Sequence, residues 1–299
     1  MAGVRRVNAP TRQPPQSGEI IVRAIPFAFA ENIDPTWHPD RREWSHMANG
    51  ASLTMPYLEP FLIKTVREAL KKASNPQLKQ DVHGFIAQEG NHFQNHRRYN
   101  EILKRNYPEL ADVESELAVD YKRLQTKSLR WRLAYTAGFE TMTMGITEWL
   151  IGDRRNLFNH ADPSVSSLIL WHMVEETEHK NVAYDLYQHL YGQYWPRAWG
   201  LVYASWHVAR SSRKGYRRML KRDRLWNRPA SRLRLWAMVI RFLMKASPAM
   251  LRSLVPGYHP GKVTDPEWVA RWTSAYAGLP EDAIPLLDTS DPEIPAQFA

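Results

Sequence analysis

Residues 171–187 read WHMVEETEHKNVAYDLY, and the first nine positions hold two histidines and three glutamates. Such a run is either a charged helix face turned to water or one wall of a metal site. At ~3.6 residues per turn, His172, Glu176 and His179, spaced four and three apart, share one stripe of a helix. Glu175 and Glu178 fall off that stripe and are expected to face solvent. The Glu-x-x-His spacing recurs in AQEGNHFQNH, residues 87–96, as Glu89 and His92, with His96 four residues further on. This spacing suits metal binding, because the carboxylate can bridge two ions while the imidazole one turn along takes a terminal position.

Around these two motifs the chain reads as helical. Helices are predicted over 56–73, 76–106, 127–151 and 164–191, the last opened by Asp162-Pro163 and ended by Gly192. Four helices in two hairpins indicate an all-α fold, a ferritin-like four-helix bundle with additional C-terminal helices, in which the two remaining helices each supply one carboxylate. Residues that meet in a hairpin lie about equally far from its turn. Glu176 is 12 residues past Ser164 and Glu140 is 11 before Ile151, whereas Glu148 is only 3 before it. At ~1.5 Å per residue, Glu148 would miss Glu176 by about 13 Å. In the first hairpin Glu89 is 13 past Pro76 and Glu59 is 14 before Ala73, while Glu68 is only 5 before it. Depth therefore selects Glu59 and Glu140. Glu140 also sits in the low-charge stretch YTAGFETMTMG, where an unpaired carboxylate would be costly to bury.

The 299 residues contain 43% hydrophobic side chains, enough for a large core, and no cysteine, which excludes disulfides, thiolate metal sites and cysteine nucleophiles. Residues 1–45 read as an irregular N-terminal arm with one strand-like run, EIIVRAIPFAF. Residues 46–195 read as the metal-binding bundle, and 196–299 as a basic helical extension packed on it. The amino terminus lacks the apolar region of a signal peptide, and no apolar run approaches the ~20 residues of a membrane span. A soluble, cytoplasmic protein is expected. The net charge of +9 is concentrated in RSSRKGYRRMLKRDR, residues 210–224, with eight basic residues against one acid. With LWAMVIRFLMK following, peripheral contact with an anionic membrane through residues 210–252 fits this composition better than nucleic acid does.

PYLEPFL, AQEGNHFQNH and WHMVEETEHKNVAYDLY resemble bacterial proteins described as predicted metal-dependent hydrolases, over roughly residues 20–275 and including a tail similar to PGYHP. EETEH is similar to the ferritin-type Glu-x-x-His element, in which the second glutamate is the ligand. His172, Glu176 and His179 together resemble the fourth-helix motif of di-iron arylamine N-oxygenases, and that likeness implies His172 as a seventh ligand. His96, two turns from Glu89, is either a group standing behind the ligands, the favoured reading, or an alternative extra ligand. One departure is that Pro56 and Pro60 flank Glu59, so the first helix is expected to kink or begin there.

The expected ligand set is thus Glu59, Glu89, His92, Glu140, His172, Glu176 and His179. Carboxylates and imidazoles without thiolate suit two iron ions, and manganese or zinc would also fit. Four glutamates offset the charge of two divalent ions. Because every donor lies on a helix among Phe139, Met142, Met144, Trp171 and Met173, activation of O2 toward a small apolar or aromatic substrate is the favoured reading. Hydrolysis by a metal-bridging hydroxide is the alternative. An external electron donor and a homodimer are compatible with the sequence. Tyr135 and Tyr184 are the tyrosines a radical mechanism would use.

Overall fold

Three of the four helices that carry proposed ligands begin at a side-chain cap. Asn75 accepts from the Leu78 amide ahead of Pro76, Ser128 from the Trp131 amide, and Asp162 from the Ser164 and Val165 amides ahead of Pro163. The computed structural model describes residues 20–298. In chain order it contains α1 (Arg42–Leu70), α2 (Pro76–Asn106), α3 (Leu110–Gln125), α4 (Leu129–Gly152), the short α5 (Arg154–Phe158), α6 (Pro163–His179) and α7 (Val182–Leu190). Next come α8 (Tyr194–Arg222), α9 (Pro229–Ser253), a 3-10 turn over Pro260–Lys262, and α10 (Glu267–Ala277). The fold is all-α. Among the described residues the one β-type pairing is an isolated bridge between Leu287 and Phe298.

Helix α1 starts at Arg42, well before position 56, and runs through both prolines. Pro56 has no N–H, so it cannot donate to the carbonyl of Ser52 one turn back. Asn100 Nδ2 on α2 fills that gap at 2.9 Å. A side chain of the neighbouring helix thus replaces the missing backbone donor, and Glu59 stays on a continuous helix. The predicted fourth helix, by contrast, is two helices. It breaks at Lys180 and Asn181, directly after His179, and the Lys180 amine donates to the Val263 carbonyl and pairs with Asp265.

Among the described residues the strand-like run, from Ile20 on, has no strand to pair with. Residues 20–29 are extended with Arg23, Ile25 and Phe27 buried and the residues between them exposed. Their backbone bonds to amide side chains of α2. Gln88, Asn91 and Asn95 donate to the carbonyls of Ile21, Arg23 and Ile25, and Phe27 N–H donates to Asn95 Oδ1. Three amides one helical turn apart act as a substitute strand edge. On the other side α8 lies against α4 and α1, and α9 against α4. The α4–α8 crossing is backbone to backbone: a Cβ on Gly200 would stand 2.1 Å from the Ala134 carbonyl oxygen.

Candidate metal centre

Helices α1, α2, α4 and α6 each bring one glutamate to a common depth in the interior. The structure places all seven proposed ligands in two adjoining buried groups, Glu59 with His92 and His172, and Glu89 with Glu140, Glu176 and His179. Two carboxylates span both groups. Glu176 turns Oε1 to His172 Nε2 at 2.8 Å and Oε2 to His179 Nε2 at 3.2 Å. Glu89 turns Oε1 to His179 Nε2 at 3.4 Å and Oε2 to His92 Nδ1 at 4.0 Å.

The three imidazoles are each oriented by an acceptor on their outer nitrogen. His92 Nε2 lies 3.0 Å from Glu175 Oε2, so its proton is there and Nδ1 is a bare lone pair facing the carboxylates. His179 Nδ1 lies 2.8 Å from Gln88 Oε1, whose amide nitrogen donates elsewhere, so Nε2 is the inward lone pair. For His172 the proton is fixed by a longer chain. Asn100 Nδ2 donates to the Ser52 carbonyl, which leaves Asn100 Oδ1 to accept from Ser52 Oγ at 2.8 Å. Ser52 Oγ therefore accepts from His96 Nδ1, and His96 Nε2 accepts from His172 Nδ1 at 2.9 Å. His172 Nε2 is left as the inward lone pair.

Inside the cluster acceptors meet acceptors. Both carboxylate oxygens of Glu59, Glu89 and Glu140, and Nδ1 of His92, are buried without any hydrogen-bond donor. Orphaned acceptors at this density would be untenable unless positive charge joins them. Two divalent ions fit the set. Glu59, His92 and His172 would hold one, Glu140 and His179 the other, with Glu89 and Glu176 shared and four negative charges balancing four positive.

A family profile described as predicted metal-dependent hydrolase matches residues 21–264, a span that includes the extended arm and all seven of these residues. The chain belongs to that family. No curated protein and no solved structure matches it.

In this family member the electrostatics show the same shortage of cations. Burial, then repulsion from neighbouring glutamates, pushes Glu59 and Glu89 well above the usual carboxylate range. Burial and Glu176 raise Glu140 to about 8. Burial also works against Glu176, yet His179 and His172 hold it low. His179 is itself raised: burial opposes its charge, but Glu176 and Glu140 outweigh it. A proton or a metal ion on His179 Nε2 answers the same field. Burial, followed by the neighbouring His172, keeps His92 and His96 neutral.

Glu175 and Glu178 do not face solvent. Glu175 is 0% exposed. Arg23 of the extended arm donates to Glu175 Oε1 at 3.2 Å and forms a two-bond fork with Glu178 at 2.8 and 2.7 Å. The helix pattern left these positions free, but the arm covers them, and a helix wheel holds no information about an arm. Arg23, Glu175, Gln88, Ser52 and Asn100 are the supporting residues that motif spacing overlooked. One signal for them was present: Arg23 falls in phase with Ile25 and Phe27, and a lone charge on the apolar side of an extended run requires a buried partner.

The other candidates lie elsewhere. Glu68 pairs with Arg132 at 2.6 Å, and Glu148 lies 3.8 Å from Arg252. Asp185, six residues past His179, bonds His259 at 2.8 Å, because the break after His179 carries α7 onto a new course. Tyr135 bonds His207, and Tyr184 bonds the Tyr258 carbonyl. Trp171 packs edge-on against His92 at 4.9 Å and Phe85 against His179 at 4.9 Å, closing the imidazoles off from water.

Proposed function

We propose that this protein is an enzyme built on a two-metal centre, and that its reaction is metal-dependent hydrolysis of a small organic substrate. The observation that carries the metal centre is the convergence of three imidazoles on four buried glutamates, three of which, Glu59, Glu89 and Glu140, have no hydrogen-bond donor on either oxygen. Support for hydrolysis comes from the description of the family to which the chain belongs. Bound divalent ions would supply either a water of lowered pKa or, if they are iron, two electrons for O2. The chain's own part is common to both. Glu175, Gln88 and His96 hold three ring tautomers, Glu89 and Glu176 tie the two ion positions together, and Trp171 and Phe85 keep bulk water out.

Oxygen activation is the second reading, in which the ions are iron and the substrate apolar or aromatic. It is favoured by one specific observation: every donor is buried and carried by a helix, with Trp171 and Phe85 packed against the imidazoles, and none comes from a loop. Metal analysis of protein purified under air, combined with assays with and without O2, separates the two. About two zinc or manganese ions per chain with ester or amide hydrolysis indifferent to O2 supports hydrolysis. About two irons with O2 consumption replaces it with the second reading. A chain that retains no metal above a one-ion trace overturns both.

A further inference from the structure

Of the thirteen large apolar side chains exposed among the described residues, all but Val22 and Val119 lie between Trp195 and Val255. On α8 they are Trp195, Trp199, Val202 and Trp206, spaced four, three and four apart and so on one stripe. On α9, Leu233, Trp236, Ile240, Leu243 and Leu251 form a second, broader stripe. Both stripes lie opposite the buried faces of their helices. The helices are tied at both ends: Arg197 Nη1 donates to the Ser253 carbonyl, and Leu220 packs with Leu235. The two apolar stripes therefore both face away from α4, against which each helix packs.

The charge on this face has one sign. Helices α8 and α9 carry thirteen Lys or Arg and no Asp or Glu. Some of these are tied inward, as Arg234 to Glu43 and Arg241 to Asp153. Others lie over rings and not beside carboxylates. Arg210 sits 5.4 Å from the Trp206 ring, and Arg217 and Arg232 sit 5.2 and 4.2 Å from that of Trp226. Tryptophan and aliphatic side chains interleaved with arginine match the headgroup–acyl boundary of a bilayer, where rings and chains enter and guanidinium groups meet phosphates.

We propose that α8 and α9 dock this protein on the surface of an anionic phospholipid bilayer without crossing it. No described helix is long and apolar enough to span a membrane. A second copy paired face to face would set basic residues against basic residues. Nucleic acid would use the arginines but leave Leu233, Ile240 and Leu251 in water. The docking face also bears on the centre, because α4, which carries Glu140, packs directly on both helices. Gly138 meets α8 at Gly200, and Gly145 meets α9 at Ala246. Lipid would lie one helix layer, ~10 Å, beyond the helix that supplies Glu140.

Full-length, metal-loaded protein is sedimented with vesicles of equal parts phosphatidylcholine and phosphatidylglycerol, and with pure phosphatidylcholine vesicles. Binding to the anionic vesicles at low salt is expected, about tenfold or more weaker on neutral vesicles and weakened by salt. W195S/W199S/W206S should lose about tenfold or more in vesicle affinity. Its metal content should not change. R213E/R217E, altered at exposed positions of α8, tests the electrostatic part separately and serves if the tryptophan variant fails to fold. Absence of binding at low salt overturns the proposal, as does equal binding by either folded variant. A solution dimer abolished by the substitutions assigns the face to a second copy, and duplex DNA binding without vesicle binding assigns it to nucleic acid. Either result also overturns the proposal.

Discussion

Glu176 is the residue on which both halves of the centre depend, since its two oxygens face different histidines. Glu176→Ala should weaken binding at both ion positions, read as metal per chain after dialysis, because Glu89, the other carboxylate that spans the gap, stands further from its imidazoles, at 3.4 and 4.0 Å. Glu175 touches no proposed ion position, yet it fixes the proton of His92. Glu175→Ala should lower metal affinity about 10–100-fold, measured by competition with a chelator, the usual effect of removing a group that orients a ligand. The pH dependence has a definite sign. Glu140, at about 8 against an ordinary 4.5, holds a proton in the folded chain that the unfolded chain has released. Metal-free protein should therefore lose thermal stability as pH rises from about 4.5 toward 8. Raised His179 acts in the same direction, its contribution being lost as pH rises through its folded value, whereas depressed Glu176 loses its contribution only in acid. Metal must displace the Glu140 proton, so affinity should increase with pH over that window, as titrations at several pH values would record.

At the scale of elements, what matters is how the chain compensates for its own breaks. Pro56 deprives Ser52 of a backbone donor, and Asn100 both repairs the helix and starts the hydrogen-bond chain that ends at His172. Asn100→Leu should cost about 1–3 kcal/mol in denaturant unfolding, the penalty of an unsatisfied buried carbonyl. It should also weaken binding of the ion on the His172 side. Pro56→Ala restores an N–H toward Ser52, so in the double variant stability should recover while metal binding does not. The extended arm is an element of the same kind, since it uses α2 amides as its partner edge and inserts Arg23 over Glu175. Arg23→Ala strands a buried carboxylate and should destabilise the fold by about 3–5 kcal/mol, again read by denaturant unfolding.

Across the whole molecule, the basic C-terminal helices and the metal centre share α4. Its crossing with α8 leaves no room for a side chain at Gly200. Gly200→Val should force the two helices apart and lower the melting temperature. Because α4 also holds Glu140 two residues from Gly138, metal affinity should fall with it; a fall in melting temperature with metal binding intact would show that the α4–α8 crossing does not position Glu140. Bound metal should stabilise the folded state by mass action, so chelation should lower the melting temperature of the parent chain.

Helix order, the two Glu-x-x-His motifs and the depth match that picks Glu59 and Glu140 over Glu68 and Glu148 were all legible in the sequence, because helix periodicity and rise are local and fixed. Local rules also located the cap at Asp162 and the stop at Gly192. They could not place the arm on α2, turn Glu175 and Glu178 inward, carry α1 through two prolines or break the helix after His179. Each of those rests on a partner distant in sequence: Arg23 for the glutamates, Asn100 for Ser52, Asp265 for Lys180. The sequence by itself determined which side chains could hold metal. Only the tertiary structure decided which way their lone pairs point, because an imidazole proton follows whichever acceptor another part of the chain brings to its outer nitrogen.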